Sequence, residues 1–196
     1  MYKSQVWDVL EYISLLRDKK GADKDELEYL LKLLNLYEQR SKKVRALSGG
    51  MLRRLGIVQA FMGKREIVIL DEPTAGLDPE EGLRFKRALG ELRKDRLVLL
   101  STHLLTDVED VCEKVVVLHQ GRICFQGSVE ELKCMADGKV YEIPSEELSG
   151  LGENIFVIRI ENSSENVVRV ISGDRLNYHA KSPTVEDGYL CVVKEI

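Results

Sequence analysis

The sequence is poor in several features that mark whole classes of protein. No aliphatic run exceeds four residues, Ile67–Leu70 and Leu97–Leu100 being examples, whereas a membrane-crossing helix needs roughly 18 apolar residues or more. The four cysteines, Cys112, Cys124, Cys134 and Cys191, form no C-x-x-C pair and have no histidine nearby at ligand spacing. They read as reduced, mostly buried small hydrophobes, not as a disulfide frame or a metal site. In place of a secretory signal, Met1-Tyr2-Lys3-Ser4 leads directly into a charged amphipathic stretch, so a cytoplasmic chain is the expectation. Neither sign of charge dominates: 29 Lys and Arg stand against 33 Asp and Glu. Residues 1–138 carry 23 of each, and the acidic surplus lies wholly in 139–196. That balance gives no electrostatic case for nucleic-acid binding. What remains is 196 residues with 44% apolar and 32% charged side chains, an ordinary globular composition with enough chain for a real core.

The first sixty residues read as helical. Ser4 is a candidate N-cap before Val6, Leu10, Ile13 and Leu16 at helical spacing, and Gly21 ends that segment. Leu27, Leu30, Leu31 and Leu34 give a stripe over 24–37, and Leu52, Leu55, Val58 and Met62 another over 51–62. Strands and helices then alternate. Ile67–Leu70 and Leu97–Leu100 lack apolar–polar alternation, the pattern of strands covered on both faces. Pro79 opens a helix over 79–93. A helix over 104–113, a strand Val115–Leu118, a turn at His119–Arg122 and a strand Ile123–Phe125 follow, and Ser128-Val129-Glu130-Glu131 has the form of a capping box. Beyond Gly138 the pattern changes to short strands near 139–143, 154–161 and 166–172 and a final helix from Pro183.

Three segments are candidates for chemistry. Asp71-Glu72 closes the apolar run Ile67–Leu70, and ligand sites in open α/β sheets lie at the carboxyl ends of strands. An acid in that place can hold Mg²⁺, and a neighbouring carboxylate can orient and deprotonate an attacking water. A solvated turn is the plainer reading of an isolated Asp-Glu pair, and it is the following Pro73-Thr74-Ala75-Gly76-Leu77-Asp78-Pro79 that tips the balance. Ser48-Gly49-Gly50 stands immediately before a helix, where a hydroxyl, close backbone approach and free N–H groups make a seat for phosphate. An ordinary loop and cap explain it equally well when it is taken alone. Ser101-Thr102-His103 puts polar side chains after the second apolar strand.

Taken together, Leu47-Ser48-Gly49-Gly50-Met51, Ile67–Leu70 with Asp71-Glu72-Pro73, Ala75-Gly76-Leu77-Asp78 and Ser101-Thr102-His103 resemble the nucleotide-binding subunit of an ABC transporter over about residues 1–138. In order and spacing they correspond to that family's signature motif, Walker B, D-loop and H-loop. The resemblance implies an α/β fold of P-loop NTPase type: a helical signature subdomain over 1–63, the C-terminal part of the ATPase core over 64–138, and a small α+β accessory region over 139–196. It also implies ATP and Mg²⁺ as cofactors. Asp71 would coordinate Mg²⁺, Glu72 would be the general base, and His103 would contact the γ-phosphate. Ser48, Gly49, Gly50 and Met51 would meet an ATP held by the opposite subunit, and Asp78 would line the dimer seam. Met51 stands where the family more often has Gln.

G-x-x-x-x-G-K-[ST] occurs nowhere in the chain: Gly63-Lys64 is followed by Arg65 and Gly138-Lys139 by Val140. The phosphate-cradling Walker A loop and the family's Q-loop are therefore absent, and the chain resembles the second part of an ATPase. The expectation is a partial core, unable alone to bind or hydrolyse ATP, with Leu97–Leu100 as an unpaired apolar edge. The expected partners are a transmembrane permease and a second ATPase subunit, with no nucleic acid, and the expected place is the cytoplasmic face of a membrane. The segments around Leu47–Leu55 and 183–190 resemble bacterial exporter-type subunits. Two other readings stand beside this one: a non-catalytic module or gene relic offering only a signature face, and a soluble ABC ATPase of translation or DNA repair.

Overall fold

In a computed structural model, residues 4–17, 21, 23–63, 65–150, 154–161 and 166–196 are described. The chain forms two compact units, Met1–His103 and Leu104–Ile196. The boundary expected near 138 falls inside the second unit, because the final helix packs against the short helix that precedes residue 138.

In the first unit, α1 (Val6–Arg17) and α2 (Lys24–Leu33) bury Val6, Leu10, Leu27, Leu30 and Leu31. The side chain of Asp23 caps α2. That helix stops short of the expected residue 37 because Asn35 takes a left-handed φ of 53° and breaks the i to i−4 ladder. Two single 3-10 turns follow, at Tyr37–Gln39 and Val44–Ala46. Helix α3 (Gly49–Phe61) begins at Ser48, whose side chain accepts the Met51 N–H at 3.2 Å. It packs on α1, α2 and the first strand, burying Leu55, Ile57, Val58 and Phe61.

Strands β1 (Ile67–Asp71) and β2 (Leu97–Ser101) pair in parallel, Ile67 opposite Leu97 through to Asp71 opposite Ser101. The crossover is α4 (Pro79–Leu92), capped by Asp78 and holding Phe85, Ala88, Leu89 and Leu92 in the core at helical spacing. This sheet departs from the expectation of strands covered on both faces. Val68 and Leu70 are buried, but Ile67, Ile69, Leu97 and Leu99 are each more than half exposed. The cause is geometric: the register puts those four side chains on one face, and helices cover only the other. β2 pairs with β1 on one edge, and no strand pairs with its second edge among the described residues.

In the second unit, α5 (Leu105–Val111) precedes an antiparallel hairpin of β3 (Lys114–His119) and β4 (Arg122–Ser128). Its turn residues Gln120 and Gly121 both have positive φ, 48° and 76°, as a two-residue hairpin turn requires. The capping box read at Ser128 and Glu131 is formed and starts α6 (Val129–Cys134). A three-stranded antiparallel sheet follows, ordered β5 (Val140–Pro144), β7 (Val167–Ser172), β6 (Ile155–Glu161), and α7 (Val185–Lys194) closes the chain. Both faces of β5 and β7 are covered. Tyr141, Ile143, Val168 and Val170 form one cluster with Leu148, Ile155, Leu176 and Tyr178, while Val140 and Ile171 pack on Ala136 and Cys191. All four cysteines are free, but only Cys191 is buried, and Cys124 and Cys134 are exposed. The expectation of mostly buried cysteines thus fails at positions on the hairpin and at the end of α6.

Candidate functional site

The two strand ends of the first unit gather the predicted acids and histidine. Because β1 and β2 run in parallel and in register, Asp71 faces Ser101 across the pair, and the residues that follow leave the sheet on the same edge. The Ser101 hydroxyl donates to Asp71 Oδ1. The Glu72 N–H reaches the Ser101 carbonyl at 3.0 Å and Oγ at 3.3 Å. These contacts hold Glu72 in the left-handed region, with φ at 45°, a conformation that costs a non-glycine residue on the order of 1 kcal/mol.

That turn aims the carboxylate at His103. Glu72 Oε1 and His103 Nδ1 lie 2.8 Å apart, the histidine largely exposed and the glutamate two-thirds covered. Glu72 Oε2 is buried and has no hydrogen-bond partner among the described residues. A carboxylate held by an imidazole at a strand end is of the right chemical type to accept a proton from a water, although Oε2 is closed to solvent in this structure. Asp71, Glu72 and Ser101 bring two carboxylates and a hydroxyl to one strand edge. Mg²⁺ favours such hard oxygen donors, taking one or two carboxylates and completing its shell with water and substrate phosphates. Among the described residues no group of three His, Cys, Asp or Glu is placed to hold a metal ion by itself.

The second group is built on helix ends. Ser48 caps α3, and Gly49 and Gly50 occupy its first turn, two residues earlier than the periodicity suggests. Their backbone N–H groups belong to the unpaired set at a helix N-terminus. A Cβ on Gly50 would lie 2.6 Å from Glu81 Oε2, while Gly49 faces open space. Met51, half-buried, gives its N–H to Ser48. Asp78 caps α4 by accepting the Glu81 N–H at 2.8 Å.

Two residues that sequence reasoning missed join these helix ends. Arg54, only 3% exposed, pairs with Glu81 at 2.5 Å. It also donates to the carbonyls of Leu34 at 3.2 Å and Asn35 at 3.4 Å. The readable signal was a basic residue lying within the buried stripe of α3 beside Leu55, Val58 and Phe61. Ser101 was noted as a polar residue at the sheet edge, but its bond to Asp71 comes only from strand register. No described helix is long and apolar enough to cross a membrane.

Comparison with known proteins gives a consistent set of likenesses. Residues 2–75 match the family described as ABC transporter. The chain is 33% identical over 193 residues to the uncharacterized ABC transporter ATP-binding protein YxlF of Bacillus subtilis (strain 168), with 89% of this chain and 65% of the relative covered. It is 31% identical over 201 residues to the uncharacterized ABC transporter ATP-binding protein YdbJ of the same organism, covering 94% and 65%. The chain thus spans 65% of the length of each of these relatives. A solved structure described as the ATP binding subunit of an ABC transporter superposes with a TM-score of 0.59 at 28% identity, over 68% of this chain and 56% of that one.

Proposed function

Over the length it spans, this chain belongs to the ABC transporter ATP-binding family, and from that premise we propose that it is the signature-and-base portion of an ATPase subunit of exporter type, driving a separate permease. The observation that carries the reading is the Glu72–His103 pair, 2.8 Å apart, beside Asp71 at one sheet edge.

Asp71 holds Mg²⁺ in this reading, and the ion supplies neutralisation and alignment of the phosphate chain. Glu72 takes the proton of the attacking water as general base. A carboxylate only accepts, so Nδ1 carries the hydrogen in the His103 pair. Nε2 is the ring nitrogen left to face the γ-phosphate. Ser101 fixes the backbone of Glu72 and one oxygen of Asp71, so neither acid has to reorganise as charge develops. Ser48, Gly49, Gly50 and Met51 seat the γ-phosphate of an ATP bound by the opposite ATPase subunit, and Asp78 lines the seam between the two. The assembly works at the cytoplasmic face of the membrane, against the permease.

Within these 196 residues there is no G-x-x-x-x-G-K-[ST] sequence, so ATP turnover by this chain alone is expected to stay at background and equal that of Glu72→Gln. Turnover well above that control overturns the inactivity. Assembled with a polypeptide that supplies such a loop, the chain is expected to turn over ATP and to lose that activity with Glu72→Gln. Activity that survives the substitution overturns Glu72 as base. The intact Ser48–Gly50 turn in a chain without the loop favours one second reading, a non-catalytic module that completes only a partner's site. Turnover by an intact partner that needs Ser48 but not Glu72 selects it.

A further inference from the structure

We propose that Arg54 and Glu81 are positioning residues that lock the Ser48–Gly50 turn to the Asp78-capped start of α4, so that the phosphate seat and the seam residue move as one piece. The functional consequence rests on the reading of Ser48–Gly50 given above. The clamp itself does not.

Four observations converge on one guanidinium. Arg54 is 3% exposed, and burying a charge is costly unless it is paired and hydrogen-bonded. Its partner is Glu81, at 2.5 Å, whose own N–H is the group that Asp78 caps. The carbonyls of Leu34 and Asn35, at the break where α2 ends, take further hydrogen bonds from Arg54 Nη1. The other Glu81 oxygen sits where a side chain on Gly50 would be. The carboxylate therefore touches the turn, the guanidinium holds the carboxylate, and the α2 break holds the guanidinium.

Electrostatics gives the pair a second task. A carboxylate against the first turn of α3 repels an incoming phosphate and offsets the positive end of the helix. Arg54 neutralises that charge at the point of contact, so the turn can take an anion while Glu81 still fixes its geometry. A Cβ at Gly50 would press on Glu81 Oε2 and shift the carboxylate that Arg54 holds.

Amide hydrogen exchange and NMR shifts of the unliganded 196-residue chain test the clamp. With Glu81→Gln the Met51 and Leu52 amides are expected to exchange about tenfold faster and the Gly50 resonance to move, while β1 and the second unit keep their rates. Glu81→Asp, which restores the charge, is expected to recover most of the protection and the Gly50 shift. Should Glu81→Gln unfold the first unit, Arg54→Lys, which keeps the charge without the fork, is read at the same amides. Unchanged Met51 and Leu52 rates, a uniform rise across the first unit, or no recovery in Glu81→Asp overturns the proposal. No nucleotide is present in this experiment, so it succeeds or fails apart from the phosphate-seat reading. That reading fails instead if Ser48→Ala leaves the turnover of an assembled site unchanged while the clamp is intact.

Discussion

The β1–β2 pair of the first unit and the β5–β7–β6 sheet of the second are written in similar letters, and they are finished to different degrees. Ile67-Val68-Ile69-Leu70 and Val167-Val168-Arg169-Val170-Ile171 are both dense in β-branched residues, as strands that meet packing on both sides tend to be. In the second unit that demand is met. Two separate clusters cover the two faces of β5 and β7, and Arg169, opposite Glu142 in register, is answered from α7 by Asp187 at 2.6 Å. In the first unit only the Val68 and Leu70 side is covered, and four large aliphatic side chains face outward. The same kind of strand is thus a completed core in one place and a surface chemically suited to burial in the other.

The sharpest way to break the contrast is at the crossing of α6 and α7. A Cβ on Gly188 would lie 1.9 Å from the Leu132 carbonyl oxygen, a backbone atom that cannot swing away. Gly188→Ala is expected to destabilise the second unit by about 4 kcal/mol in urea unfolding, leaving exchange rates in the first unit unchanged. Next comes the buried pair. Arg169→Ala leaves the fully buried Asp187 carboxylate with only its Thr184 contacts at 2.7 and 2.9 Å, and about 3 kcal/mol is the expected loss by the same measurement.

Within the first unit the two faces of β1 can be set against each other directly. Leu70→Ala is expected to cost about 2 kcal/mol, and Ile69→Ala, one residue earlier, less than about 0.5 kcal/mol. Equal losses in chemical denaturation would mean that the outer face is covered in solution. The smallest effect concerns Cys191. Burial pushes its thiol up from the ordinary thiol value, an effect that nearby Lys139 opposes in part and Asp187 adds to. With the folded-state pKa raised, the contribution of the neutral thiol to stability is complete below the ordinary thiol range and is lost as pH climbs through the raised value. At around pH 8, iodoacetamide is expected to label exposed Cys124 and Cys134 well before Cys191. Comparable labelling of Cys191 would show that the second unit opens readily.

The candidate site was legible where the chemistry is local. Asp71 and Glu72 announce a strand end, Ser48 a helix cap and Pro79 a helix start, because caps and strand exits are decided by residues a few positions apart. Strand β6 and helix α7 likewise stood near their expected positions. Arg54 was legible only as a basic residue within a buried stripe, and its pairing with Glu81 was not, since their meeting joins residues on two helices separated by a strand. The bare face of β1 was misread for a related reason. Periodicity reports what a strand is suited to touch, and packing decides what it does touch.

By itself, then, the sequence determined the order of helices and strands to within a few residues at their ends, and which acids, glycines and histidine stand as candidates for the chemistry. Each of these is set by steric and hydrogen-bonding preferences acting over a few residues. Only the tertiary structure decided that Ser101 holds Asp71 and Glu72, that one buried guanidinium ties the Ser48 turn to the Asp78 cap, and that one sheet is covered on both faces while the other is covered on one. Those outcomes depend on strand register and on helix packing between residues far apart in the chain, and no local preference specifies either.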